Sequence, residues 1–485
     1  MNLIKDLPLA FSESQPASWN FDPEARKLTA RANPQTDLYC DPKNGAEVPG
    51  TLNALTLLGL PHTDDFQISS KVHVSFNSDY DAGMEDAALS AFSVFFTQSP
   101  SFLSYQRTME QTKGLSNAQS LFGVHKIPTD NHIRDLLDPI KPKEMFPVFE
   151  TILETIEQRG KLQGFRGFAN TLLMAIDGTE YFSSKQIHCP QCSTRKMKSG
   201  EIHYFHSVVT PVIVSPHQSQ VIPLVPEFIG PQDGNDKQDC ENTAAKRWLL
   251  QHGSKYSSLN VTVLGDDLYS RQPLCQMLLE QQFNFILVCR PESHPTMYEH
   301  LEGIALPTVI VNKWTGKFQN TYTYRYLNEL PIKDGDDALL VNWCELTVTS
   351  PDSKVVYKNS FATNHMITQQ TVVEIVLAGR TRWKVENENN NTLKTKGYNL
   401  EHNFGHGKEH LASFLATLNI LSLLFHTLLE LVDDKYQLLR SHLPTRKTFF
   451  DDLRALTRYL VFDSWDHLLT FMIQGLELDI PPNTS

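Results

Sequence analysis

Cysteine is scarce in this chain, with seven scattered over 485 residues. An odd and thinly spread set excludes a disulfide framework as the main source of stability, and a reducing cytoplasm is the compartment that fits. Net positive charge is missing as well, since 43 Lys and Arg stand against 55 Asp and Glu, a formal charge of −12. A protein that merely coats nucleic acid needs a basic footprint, so that class is disfavoured. There is no internal repeat and no long low-complexity tract, and the opening "MNLIKDLPLAFSESQPAS" lacks the unbroken apolar core expected of a secretory leader. Only "LASFLATLNILSLLFHTLL", residues 411–429, is free of Asp, Glu, Lys and Arg over a nearly membrane-spanning length. Its Ser413, Thr417, Asn419, Ser422, His426 and Thr427, and the lack of flanking base clusters, make a core helix the expectation and a membrane partner unexpected.

What is present reads as globular, with 40% hydrophobic and 20% charged residues. Residues 1–70 are expected to be an irregular, proline-marked arm, and residues 71–168 a helical module. In "FPVFETILETIEQRG", Phe149, Ile152, Leu153 and Ile156 make one apolar face ending at Gly160. In "IPTDNHIRDLLDPI", Thr129 or Asp130 caps a short helix that must break near Pro139. From residue 169 to 295 the order becomes strand, strand, strand, helix, strand, helix, strand, an α/β layout with a mixed sheet. Here "CENTAAKRWLLQHG" reads as a helix ending at Gly253. Residues 296–372 form a β-rich insertion, residues 373–435 return to the core as helices, and residues 436–485 are a helical tail.

Asp177 and Asp266 each stand where an apolar strand stops, and in open α/β sheets the carboxyl ends of central strands collect ligands. In "GDDLYS" the alternative is Asp267 as the ligand with Asp266 as the turn residue, and Asp266, nearer the strand, is the preferred candidate. A third acid comes from "RWKVENENNNTLKTKGYNLEHNFGHGKEH", residues 382–410. At about 100° per residue Glu386 shares a helical face with Arg382 and Asn390, and Glu388 points away. The plainest account is an i,i+4 pair between Arg382 and Glu386 on a solvated helix. The richer account is an oxygen-only site for Mg2+ or Mn2+ at Asp177, Asp266 and Glu386, with Arg382, Lys394 and Lys396 binding a phosphodiester.

A softer donor set lies in "HCPQC". Cys189 and Cys192 have the two-residue spacing of a zinc knuckle, and His206 and Cys240 are the further ligands expected for a structural Zn2+. A reduced thiol pair in a β-turn is the alternative. His402, His406 and His410 read as caps and surface histidines, and "STRKMK" as an exposed basic turn.

"MAIDGTEYFSS", "VLGDDLYSRQPL" and "RTRWKVENENNNTLKTKGYNLEHNFGHG" resemble, in order and spacing, the three acidic blocks of DDE-type insertion-sequence transposases. "LFGVHKIPTDNHIRDLLD" is similar to the segment ahead of the core in such enzymes, and the likeness spans roughly residues 85–430. It departs at Gly379, where tyrosine is frequent, at Lys394, one step late, and at an asparagine in place of the aromatic between Glu and Lys, which leaves Glu386 and Glu388 as alternatives. The resemblance implies an RNase H-like core interrupted by the β-rich insertion. It also implies Asp177, Asp266 and Glu386 as the catalytic, Mg2+-binding acids, and residues 71–168 as the part that binds DNA ends. The partners would be double-stranded DNA, as transposon ends and target, and further copies of the chain on DNA, in the cytoplasm of a prokaryotic host. The competing expectations are an RNase H-like nuclease without a joining step, and a catalytically silent DNA-binding relative.

Overall fold

The computed structural model describes residues 79–109, 116–231, 240–316 and 318–479, with side chains from residue 83 onward, together with five short strands between Asn2 and Leu57. The chain divides into two units, Met1–Ser75 and Phe76–Ser485. In the first, β1 (Asn2–Leu3), β2 (Phe11–Glu13) and β5 (Leu55–Leu57) make an antiparallel sheet, while β3 (Trp19–Asp22) pairs with β4 (Lys27–Ala30). Apart from these strands, the expected irregular arm lies outside the described residues.

The second unit begins with helices α1 (Asp79–Phe96), α2 (Phe102–Met109), α3 (Asn117–Phe122), α4 (Asp130–Leu137) and α5 (Phe146–Gln158). The Thr129 side chain caps α4 by accepting from the His132 amide, and α4 ends before Pro139 as the proline requires. The buried face of α5 is Phe149, Ile152, Leu153 and Ile156, the stripe read from its 3.6-residue period.

Next come β6 (Leu172–Ala175), β7 (Gly178–Ser184), β8 (Ser193–Lys196), β9 (Ile202–Val209), β10 (Val212–Val214), β11 (Ile222–Pro223) and β12 (Glu227–Ile229). Then α6 (Glu241–Ser257), β13 (Val261–Gly265), α7 (Gln272–Glu280), β14 (Asn284–Val288) and α8 (Pro295–Glu299) follow. Helix α6 runs past Gly253, which is buried within it against Gln281 and Phe283. Tertiary packing therefore overrides the stop signal that glycine supplied in sequence. The β-rich stretch is β15 (Thr308–Thr315), β16 (Phe318–Pro331), β17 (Leu340–Thr349) and β18 (Val355–Thr363), and the chain closes with α9 (Val372–Arg380), α10 (Asn391–Thr395), α11 (Leu411–Val432), α12 (Asp434–His442), α13 (Arg446–Tyr459) and α14 (Trp465–Gly475).

Nine strands form one mixed sheet in the order β11-β10-β6-β13-β14-β18-β17-β16-β15. The central β6, β13 and β14 are parallel, and β18 pairs antiparallel with β14. The strands expected as a separate insertion thus extend the central sheet, because β18 returns to cover the open edge of β14. A second sheet joins β12, β9, β7 and β8.

Alternate strand residues serve opposite layers. Leu172, Met174, Val261, Val263, Phe285 and Leu287 pack into the larger core with α1, α5, α6 and α11, while Leu173, Ala175, Leu264 and Ile286 pack with Ile375, Val376 and Ala378 of α9. Helix α11 is the one described helix long and apolar enough to cross a bilayer, and 67% of its apolar window is buried inside the protein. Its polar side chains are bonded internally: Asn419 Nδ2 donates to Tyr398 O at 2.8 Å and Thr427 Oγ1 to Val221 O at 3.0 Å.

Candidate metal centres

Asp177 and Asp266 stand just beyond the carboxyl ends of β6 and β13. Parallel pairing of Ala175 with Leu264, continued by the Ile176 amide donating to Leu264 O at 2.9 Å, carries both aspartates to the same end of the sheet. Asp266 accepts from the Leu268 amide at 2.9 Å, which fixes a tight turn and leaves its charge beside Asp177 and Glu241. Asp267 turns elsewhere, accepting from the Arg290 amide at 2.7 Å and from the Ser293 hydroxyl, so its carboxylate is consumed in holding the next loop.

Glu386, from a much later segment, acts on Asp177 through its charge. The backbone widens into a π-helical segment over Val385–Asn390, a local distortion that favours functional positions. Asn390 Nδ2 donates to Asp177 Oδ2 at 3.1 Å. Glu388 instead lies by Lys384, whose ammonium is buried and donates to Gln218 O. Burial first, then Glu386, pushes the Asp177 carboxyl up to about 7; Arg382 pulls the other way, and Glu241 and Asp266 add further upward pressure. One half-buried acid is therefore poised to exchange a proton near neutral pH.

Glu241 is the acid that sequence reasoning missed. It opens α6, where an acidic first-turn residue is ordinarily explained by the helix dipole, so its type and place carried no signal. In the fold its carboxyl group lies over Gly178. A Cβ at 178 would stand 2.4 Å from Glu241 Cδ, so only glycine admits this approach. Burial and the neighbouring Asp266 raise the Glu241 pKa, against hydrogen bonds from Tyr269 and the Gly178 amide.

The basic candidates are less gathered. Arg382 Nη1 pairs with Glu386 Oε1 at 2.6 Å, Lys394 with Glu401 at 2.9 Å, and Lys396 is exposed at the end of α10. Gly379 has a steric reason to be glycine, since a Cβ there would stand 2.8 Å from Ile286 and Phe361 where α9 crosses the sheet. Of "STRKMK", read as an exposed basic turn, residues Ser193–Lys196 are instead strand β8 paired with β9, on which Arg195 and Lys196 are exposed.

Among the described residues, the group whose donor atoms all lie within 4.8 Å of one another is Cys189, Cys192, His206 and His406, all buried. The carboxylates do not come together that closely, because Glu386 leans on Arg382 and Asp177 on Asn390. Their donor set suits a hard ion in kind, but Glu386 must leave Arg382 for its oxygens to reach one.

In the soft cluster the Sγ atoms are 3.9 Å apart, and His206 Nε2 is 3.5 Å from Cys189 Sγ and 3.4 Å from Cys192 Sγ. His406 Nε2 is 3.5 Å from Cys192 Sγ. Burial pushes the Cys192 thiol up to about 11, and burial with His406 pushes the His206 imidazole down to about 4. Two of the sequence expectations need correction here. Cys240 is not in the cluster; it is exposed at the start of α6, with its Sγ 3.4 Å from Thr243 Oγ1. His406, read as a surface histidine, is 8% exposed and takes the fourth place, whereas His402 is exposed and His410 precedes α11. The cluster is thus a buried Cys2His2 set able to hold a metal ion.

No protein-family model matches this sequence, and no curated protein matches it.

Proposed function

We propose that this chain is a DDE-type transposase that binds terminal inverted repeats and performs metal-dependent DNA strand cleavage and strand transfer on an RNase H-like core. The observation that carries the reading is that Asp177 and Asp266 stand at the same end of the central strands and that the charges of Asp266 and Glu386 both act on Asp177, from segments far apart in sequence. The parallel trio β6, β13 and β14 flanked by antiparallel β10 supports the RNase H-like part. Mg2+ or Mn2+ held by these acids would supply activation of the attacking hydroxyl and stabilisation of the leaving oxygen. Asp177, whose carboxyl is pushed upward by burial and by Glu386, would hold the cation once deprotonated, with Asn390 orienting its Oδ2. Arg382 exchanges Glu386 for a phosphate, and exposed Lys396 binds the DNA backbone nearby, as does Lys394 if it releases Glu401. Zn2+ belongs to the separate thiolate and imidazole cluster. The helices over residues 79–168 bind the DNA ends, and copies of the chain assemble on DNA in a prokaryotic cytoplasm.

The test is a cleavage and joining assay with Mg2+ on DNA carrying the inverted repeats that flank the gene. Glu386→Gln should abolish cutting with repeat binding retained, because the amide keeps the shape and loses the charge a cation needs. Glu388→Gln should cut normally. Arg382→Ala should weaken binding and flatten its salt dependence. Normal cutting by Glu386→Gln would refute the assignment. A second reading, a catalytically silent DNA-binding relative, is favoured by the 2.6 Å Arg382–Glu386 pair, which satisfies the glutamate without metal; repeat binding with no cutting by the unaltered chain would establish it.

A further inference from the structure

We propose that Cys189, Cys192, His206 and His406 form a closed four-ligand Zn2+ site that staples the segment following the Glu386 helix to the hairpin following Asp177. Usual Zn–S and Zn–N lengths of about 2.3 and 2.0 Å place tetrahedral ligands about 3.8 Å apart sulfur to sulfur and about 3.5 Å apart sulfur to nitrogen. The four separations of 3.9, 3.5, 3.4 and 3.5 Å match four of the six edges, and the other two pairs lie within 4.8 Å. The sulfurs stand too far apart for a disulfide, which needs about 2.05 Å. Two thiolates and two neutral imidazoles cancel the charge of one Zn2+, so the assembled site is neutral and tolerates burial. Tyr181 stacks on His206 at 5.6 Å and Phe182 packs on His406 at 4.3 Å, walling the cluster from water. Four protein ligands leave no open position, which makes this a structural and not a catalytic centre.

The consequence lies in where the ligands come from. Cys189 and Cys192 sit in the turn between β7 and β8, His206 is on β9, and His406 lies 214 residues beyond Cys192, between α10 and α11. The other side of that late segment is already tied down. Arg134 Nε donates to Phe404 O at 2.9 Å, and the Asp138 carboxylate accepts from the amides of Lys408, Glu409 and Leu411 at 2.8, 3.0 and 3.1 Å. The ion would complete the clamp, holding residues 404–410 between the helical module and the β7 hairpin. Because β7 begins one residue after Asp177, and the clamped segment follows the chain that carries Glu386, the staple also limits how far the two acids can separate.

This proposal deepens the zinc assignment and does not depend on the DNA reaction, so its test uses the full chain without DNA. Elemental analysis of protein purified in reducing, chelator-free buffer should find one zinc per chain. Cobalt exchanged into the site should give the intense ligand-field absorption of a tetrahedral ion together with a thiolate charge-transfer band. Changes beyond the direct ligands of zinc sites already cost about 10–100-fold in affinity, so His406→Ala should lose at least that much, and His406→Cys should recover most of it. Cys240→Ala should bind as the unaltered chain does. Chelation should speed proteolysis between Tyr398 and His410. Absence of zinc, or an octahedral cobalt spectrum without a thiolate band, would overturn both the zinc and the staple. Full zinc affinity in His406→Ala would overturn the staple alone, leaving the other three ligands as the site; should that variant fold poorly, His406→Cys decides, because a third thiolate must strengthen the cobalt charge-transfer band if position 406 is a ligand and leave it unchanged if it is not.

Discussion

Replacing Asp177 by asparagine should stabilise the Mg2+-free protein at alkaline pH and do almost nothing at acid pH. The folded chain raises this carboxyl from 3.8 to about 7, through burial and then the charge of Glu386. A group whose folded pKa lies above its unfolded value holds its proton more tightly when folded. Its cost is therefore absent below about pH 4, grows as pH rises through the interval from 3.8 to about 7, and is constant above that. At full value the displacement corresponds to about 4 kcal/mol. Asparagine must itself be buried, although it can still accept from Asn390, so the expected gain is about 2 kcal/mol at pH 8.5. Denaturant unfolding of both proteins at several pH values without added divalent metal measures it. Added Mg2+ should reverse the order at pH 8.5 by stabilising the unaltered chain and not the variant. Below pH 7 its apparent affinity should fall about tenfold per pH unit as a proton competes for Asp177. A variant that is less stable at pH 8.5, or a difference that does not change with pH, would refute the account of a strained acid held for a cation.

Gly178→Ala should turn the flexible Glu241 carboxyl aside and cost about 1 kcal/mol, the worth of a displaced hydrogen bond, and Glu241→Ala in the same chain should relieve most of it; additive losses in that double-mutant cycle would show that the two do not touch. Asp138→Ala should destabilise by about 2 kcal/mol at pH 7, since it strips amide partners from Lys408, Glu409 and Leu411. Burial pulls the Asp138 pKa upward, but those bonds and the His410 amide leave it below 3.8. Its contribution is hence present above pH 3.8 and lost as pH falls through the lower folded value, so unfolding curves of variant and unaltered chain should converge only in strong acid.

The periodicities and punctuation of single elements were legible in the sequence, because they depend on neighbours within a few residues. The apolar stripe of α5, the Thr129 cap, the strands ending before Asp177 and Asp266, and the C-x-x-C turn needed no partner to be recognised. Which side chains meet was decided by pairings between distant segments. Parallel pairing of β6 with β13 brings the two aspartates together, and the hydrogen bonds of the following loop remove Asp267 from contention. Glu386 and Asn390, on one face by helical spacing, both act on Asp177, where the departures from the transposase pattern had left Glu388 as an alternative. Cys240 was close enough in sequence to be a plausible ligand and His406 was not, yet the fold places the distant histidine 3.5 Å from Cys192. Local sequence carries backbone preference and amphipathic period, whereas the identity of a fourth ligand or of Glu241 follows from the register of a sheet and the packing of a helix end. No window of neighbouring residues contains that register.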